Sequence, residues 1–156
     1  LGDERITDEK LEEAATLALC WSRAWNGGGA HGTVFAVKPA QVSKSAQTGE
    51  YVGKGAFIVR GQRQWFKDLD VQMAVGLVAI NGVPLLLGGT VSTIKERCER
   101  YAVLSPGRIK KETLANRIYK ATGLRTDDIL SILPGPSEII EDIGIFSPFR
   151  QETEEE

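Results

Sequence analysis

The dipeptide Asn81-Gly82, set between two apolar runs, constrains this chain more than any other feature. Asn-Gly is a strong two-residue hairpin signal, because both central residues of the favoured turn need positive φ. Ahead of it, Val71, Met73, Val75, Leu77 and Ala79 alternate with Gln72, Ala74, Gly76, Val78 and Ile80, a strand pattern with both faces largely covered. Behind it, Val83–Leu87 reads as the returning strand. Pro84 places that return near a sheet edge, since proline cannot donate to a central ladder. The sheet is expected to end there.

The opening segment supplies a cover for that sheet. Thr7 or Asp8 can cap a helix whose start is acidic (Asp8, Glu9, Glu12, Glu13), which suits the helix dipole. Leu11, Ala14, Ala15, Ala18 and Trp25 recur at helical spacing, Leu17 and Trp21 widen the stripe, and Asn26-Gly27-Gly28-Gly29 ends it. Trp21 and Trp25 are therefore expected in the core. Gly32–Val37 reads as a strand closed by Pro39, and Ala56–Arg60 and Arg63–Phe66 read as two more, joined by a turn at Gly61-Gln62.

Beyond Gly88-Gly89 the pattern changes. Thr93-Ile94-Lys95-Glu96 matches a capping box opening a short basic helix, and Tyr101–Leu104 is a short strand before a turn at Ser105-Pro106-Gly107. Lys110–Thr122 is a helix stopped by Gly123, Thr126 caps a helix over Asp127–Leu133, and Ser137–Ile143 adds one more helical turn. The fold class is α/β of the α+β type: an N-terminal helix packed on a mostly antiparallel sheet, with a small helical C-terminal extension. Residues 1–89 form the helix and sheet, 90–145 the extension, and 146–156 an acidic tail expected to be disordered. At 156 residues, 42% of them hydrophobic, the chain can bury one real core or two small ones.

The net charge of −2 conceals an asymmetry. Residues 1–13 hold six acids and two bases, residues 14–125 six acids and sixteen bases, and residues 126–156 nine acids and one base. A basic body between acidic ends favours a polyanionic partner for the body. Within it, Lys38, Lys44, Lys54, Arg60, Arg63 and Lys67 interleave with Tyr51, Phe57, Trp65 and Phe66, and Gly49, Gly53 and Gly55 let the backbone approach a partner closely. Cations beside aromatics suit a phosphate backbone with stacked bases. Phe57 is expected in the core, whereas Trp65 reads equally well as core or as a stacking surface. Lys110 and Lys111 open a basic helix suited to further phosphate contact.

Other chemistries find little support. His31 is the only histidine, Cys20 and Cys98 stand alone, and no metal site of usual ligand spacing can be assembled. The two cysteines read as buried thiols of a reducing compartment. No cofactor is implied, because Asn26-Gly27-Gly28-Gly29 follows a helix and Gly88-Gly89-Thr90 lacks the core of a P-loop. The helix pair over Lys111–Leu133 resembles a DNA-reading helix-turn-helix, but Thr126-Asp127-Asp128 would set two carboxylates against phosphates. No signal peptide and no membrane-spanning run is present, so the chain is expected to be cytoplasmic. Leu1 in first place suggests a piece of something longer.

One resemblance is more specific than any short motif. Glu13-Ala14-Ala15, Ser22-Arg23-Ala24-Trp25 and, above all, Gln41-Val42-Ser43-Lys44, Thr48-Gly49-Glu50-Tyr51, Gly55-Ala56-Phe57 and Arg60-Gly61 resemble the RNA-binding module of the NFACT family. The resemblance implies a role in ribosome-associated quality control, with the ribosomal large subunit and either tRNA or large-subunit rRNA as partners. Carried over by position, it points to Ser43, Lys44, Glu50, Tyr51, Lys54 and Arg60 as RNA-binding residues. With the cations and aromatic read above, the expected site is Lys38, Ser43, Lys44, Glu50, Tyr51, Lys54, Arg60, Arg63, Trp65, Lys110 and Lys111, with no catalytic residue. Two alternatives stay open: a protein-interaction module that docks a basic partner through its acidic ends, and a small-molecule enzyme built around Glu50 in the glycine-rich loop.

Overall fold

The structure, a computed structural model, describes residues 6–45, 49 and 51–146. Its first helix, α1 (Asp8–Cys20), is capped by Thr7, whose Oγ1 accepts from the Lys10 N–H at 3.3 Å. The helix does not continue to Trp25 as its apolar stripe suggests. Ser22 breaks it and starts α2 (Arg23–Asn26): its Oγ donates to the Leu19 carbonyl at 2.7 Å and accepts from the Ala24 N–H at 3.1 Å. A serine that bonds local backbone offers the chain an alternative to the helical ladder. The break separates the two tryptophans. Trp25 is buried and donates its indole N–H to the Pro136 carbonyl at 2.7 Å, whereas Trp21 is left 42% exposed. The core expectation holds for Trp25 alone.

Four strands make the main sheet: β5 (Met73–Ile80), β6 (Val83–Gly89), β7 (Arg100–Ile109) and β8 (Ser137–Ile143), in the order β6-β5-β7-β8 and antiparallel throughout. The β5–β6 turn is Asn81-Gly82, with φ of 51° and 77°, and Pro84 lies on the edge strand. Alternation along the strands sorts side chains to two faces. Met73, Val75, Leu86, Ala102 and Leu104 join the main core with Ala15, Leu19 and Cys20 of α1, Leu114, Ala115 and Ile118 of α4 (Lys111–Thr122), and Ile129 of α5 (Thr126–Ile132). Ala74 and Val103 face the other way, against Ile94 and Cys98 at α3 (Val91–Arg97). Gly76 lets α3 approach: a Cβ there would lie 2.5 Å from Cys98 Sγ and 2.8 Å from Ile94 Cγ2. The result is three layers, with α3 on one side of the sheet and the remaining helices on the other.

The α+β class, with its first helix laid on antiparallel strands, is as the sequence implies, but the C-terminal part differs from a purely helical extension. The expected boundary near residues 88–92 is crossed by the sheet, for Gly76 pairs with Leu87 on one side and Tyr101 on the other. Ser137–Ile143 is a strand, not a helical turn, because Ile139 packs into the main core while the segment pairs along β7. Pro106-Gly107 is an irregularity within β7 rather than a turn; the ladder shifts register between Pro106 and Ile109 there. The expected capping box does not form. Thr90 is the N-cap of α3, and the hydroxyls of Thr90 and Thr93 both donate to Glu13 Oε1 on α1, the former at 2.7 Å. Both hydroxyls are taken by a carboxylate from another helix rather than by the first-turn N–H groups of α3. Gly123 ends α4 in the left-handed region at φ 75°, as expected.

Candidate nucleic-acid interface

The described residues of 31–45 and 51–70 fold as one long antiparallel arm. At its root, β1 (His31–Ala36) pairs with β4 (Gln64–Asp70), from His31↔Asp70 to Ala36↔Gln64. Farther out, β2 (Val42–Ser43) pairs with β3 (Ile58–Val59), as Val42↔Val59 and Ser43↔Ile58. The inner side of the root lies on the body, with Val34 and Phe66 packed against the main core. Gly32 allows the contact with α1, since a Cβ there would meet Leu19 Cδ1 at 2.6 Å.

Between the two ladders the arm bends through a 3-10 turn at Pro39–Gln41, and one side chain holds the bend. Gln41 Oε1 accepts from the Lys38 N–H at 2.9 Å, and its Nε2 donates to the carbonyls of Arg60 at 2.9 Å and Gln62 at 2.7 Å. The Gln41 backbone adds a bond on each side, donating to Lys38 O at 2.9 Å and accepting from Arg60 N–H at 2.8 Å. Polar groups on both strands are thereby satisfied from one amide. Spacing alone did not single out Gln41. The signal lay opposite it in Gly61, whose φ of 83° excludes most side chains and whose Cβ would sit 3.0 Å from Gln41 Nε2.

The arm gathers most of the expected residues. Lys38 is exposed just before the bend, and Ser43 accepts from the Ser45 N–H at 3.0 Å, shaping the start of the loop. Lys44 follows, its Nζ 5.2 Å from the centroid of the Phe57 ring across the hairpin. Phe57 is itself 57% exposed, so the core expectation fails for it; the ring serves as a seat for the lysine. Tyr51 is 92% exposed, and Lys54 is exposed in a turn closed by the Ala56 N–H to the Gly53 carbonyl at 3.0 Å. Arg60 is partly buried beside the bend. Arg63 lies with its guanidinium carbon 5.0 Å from the Phe35 ring centroid, and Phe35 meets Trp65 edge to face at 5.3 Å and 61°. Trp65 is 53% exposed, which resolves its two readings toward the surface. Glu50 lies outside the described residues. Lys110 and Lys111 stand apart, at the start of α4, which packs on α5 rather than on the arm.

Among the described residues Lys38, Lys44, Lys54 and Arg63 have no carboxylate partner. Glu9, Glu12 and Glu13 of α1 line a groove of about 910 Å³ with Asp68, Asp70 and Glu96, between α1, the root of the arm and α3; Lys67 and Lys95 line it too, so it is mainly but not wholly acidic. Hydrogen bonds from Thr93 and Thr90 hold the Glu13 carboxyl below the ordinary carboxylate range, outweighing its desolvation. At the root, His31 Nδ1 lies 3.0 Å from Asp70 Oδ1. Cys20 is buried with its thiol donating to the Gln72 carbonyl at 3.3 Å, and burial pushes its pKa up to about 11. Both cysteines are free, buried thiols, and no helix among the described residues is long and apolar enough to cross a membrane.

Known proteins bear on this arrangement. A family model described as the NFACT protein RNA binding domain matches residues 2–61, which include α1 and the outer part of the arm. The chain is similar to the archaeal Rqc2 homolog aRqcH of Methanocaldococcus jannaschii, 32% identical over 144 residues, covering 88% of this chain and 21% of that protein. It is also similar to the ribosome quality control complex subunit NEMF of Mus musculus, 42% identical over 70 residues, covering 45% of this chain and 6% of that protein. The Drosophila melanogaster NEMF homolog is 33% identical over 75 residues, covering 48% of this chain and 8% of that protein. The chain thus spans about a fifth of the archaeal relative's length and less of the others. No solved structure matches it.

Proposed function

This chain belongs to the NFACT family, and from that premise we propose that it is a cytoplasmic RNA-binding module without catalysis of its own, contacting tRNA or large-subunit rRNA in quality control of stalled nascent chains. The observation that carries this reading is the arm: a β-ribbon displaying Lys38, Lys44, Lys54 and Arg63 with no described carboxylate partner, beside exposed Tyr51, Phe57 and Trp65. Each lysine that meets a phosphate releases condensed counterions, so binding draws on salt-dependent entropy and carries little sequence preference. The bend held by Gln41 ties together the backbone beside Lys38, Arg60 and Arg63, and the seat of Lys44 on Phe57 limits the freedom it loses on binding. Lys110 and Lys111, with exposed Arg117 and Lys120 farther along α4, form a second basic surface for the same polyanion.

The test is a double charge reversal, Lys44→Glu with Lys54→Glu, measured against tRNA and purified large ribosomal subunits over a salt series. The expected result is a loss of roughly tenfold or more in affinity and a salt slope shallower by about one per lysine, with the fold intact. Unchanged affinity in a folded variant overturns the assignment of the arm. The acidic groove favours a second reading, docking of a basic protein partner. That reading predicts intact wild-type binding to a polybasic peptide and weak binding to tRNA at every salt concentration.

A further inference from the structure

We infer that the arm takes RNA whose bases are unpaired, one of them stacking on the open face of Trp65; this rests on the RNA-binding reading above and adds the form of the ligand. The inner residues of the root, Val34 and Phe66, already pack on the main core, so Phe35 and Trp65 are not needed to close it. They are nevertheless the two large apolar side chains of β1 and β4 that face water, 41% and 53% exposed and directly opposite each other in the ladder. Outward positions of a half-covered antiparallel pair ordinarily hold polar residues.

The geometry is that of a platform. The Phe35 ring is occupied by the Arg63 guanidinium at 5.0 Å and by the edge-to-face contact with Trp65 at 5.3 Å and 61°. Phe35 therefore braces the indole and Arg63 braces Phe35, while Trp65 keeps half its surface free. A braced flat ring beside a guanidinium with no carboxylate partner among the described residues matches one nucleotide: base on ring, phosphate on Arg63. A duplex offers phosphates to the cations but keeps its bases inside the stack, so the ring would find no face to cover. Phosphate contact alone would leave the exposed indole without a role.

The experiment uses the full chain and three probes: a short single-stranded oligoadenylate, an RNA duplex of the same length, and heparin, a polyanion without bases. Trp65→Leu is expected to weaken oligoadenylate binding about tenfold and to leave heparin binding within about twofold. Trp65→Phe, which keeps a ring, is expected to retain most of the affinity. Oligoadenylate is expected to quench wild-type tryptophan fluorescence in a component that Trp65→Phe lacks, with no such quenching by heparin. That readout compares the wild type with the conservative Trp65→Phe, so a misfolded Trp65→Leu does not remove the test. Equal losses on oligoadenylate and heparin, equal affinity for duplex and single strand, or quenching that persists in Trp65→Phe would each overturn stacking while leaving RNA binding in place. No binding of any nucleic acid by the wild type would instead overturn the reading beneath it, as would a peptide ligand that alone depends on Trp65.

Discussion

In β5, Met73, Ala74 and Val75 are enclosed from both sides, whereas along the arm Phe35, Phe57 and Trp65 stand in water. Both regions are antiparallel pairs, and the difference lies in what covers them. The main sheet has α3 on one face and α1, α4 and α5 on the other, so Met73–Val75 of β5 and Ala102–Leu104 of β7 are apolar and buried at successive residues. The root of the arm has the body on one face only, and its outer ladder has just two residue pairs. Apolar side chains are thus kept exposed where burial was not on offer, and they sit beside Lys38, Lys44, Lys54 and Arg63, which have no carboxylate partner among the described residues. One region is covered on both faces, the other on one.

The sharpest way to break this contrast is to damage the body. Leu104→Ala removes a fully buried side chain from the main core and is expected to cost about 2–5 kcal/mol in chemical unfolding. RNA affinity of the protein that remains folded should stay within about twofold; a parallel loss of affinity would show that arm and body are not separable in function. A smaller effect is expected at the bend. Gln41→Ala leaves the Lys38 N–H and the carbonyls of Arg60 and Gln62 without their side-chain partner, at a cost of about 1 kcal/mol given their access to water. Amide exchange should quicken at β2 and β3 and remain slow in β5. Equal quickening in β5 would make the arm part of the same cooperative unit.

The smallest effect concerns pH. The Glu13 carboxyl is held below the usual range by the Thr93 and Thr90 hydroxyls, so the folded state favours its ionised form. That contribution is present above the ordinary carboxylate pKa and is lost as pH falls through the lowered one. As pH falls below the ordinary carboxylate range the wild type should lose more stability than Glu13→Gln, seen as converging melting temperatures. Curves that stay parallel would remove Glu13 as the tie between α1 and α3.

The features legible in sequence were those carried by local grammar. Asn81-Gly82 fixed the β5–β6 hairpin, Pro84 its edge, Gly123 the end of α4, and Thr7 the start of α1. What escaped was set by partners far along the chain. Ser137–Ile143 reads as a helical turn until β7 is beside it, and Thr93-Ile94-Lys95-Glu96 reads as a capping box until Glu13 arrives from α1. The same holds for the site. Its cations were visible as composition, but the seat of Lys44 on Phe57, the bracing of Trp65 and the hub at Gln41 are each cross-strand relations.

The position of β5 between β6 and β7 carries a practical consequence for anyone cutting the chain. A fragment ending at Gly89 would keep the whole arm and β6 yet strip Met73–Leu77 of the mates on their β7 side, which run from Leu104 back to Arg100. The bared margin of that apolar strand would recruit a second molecule or precipitate. Inheritance of the arm is therefore tied to residues that look unrelated to it, and a sequence match that stops at residue 61 marks recognisable kinship rather than an autonomous folding unit.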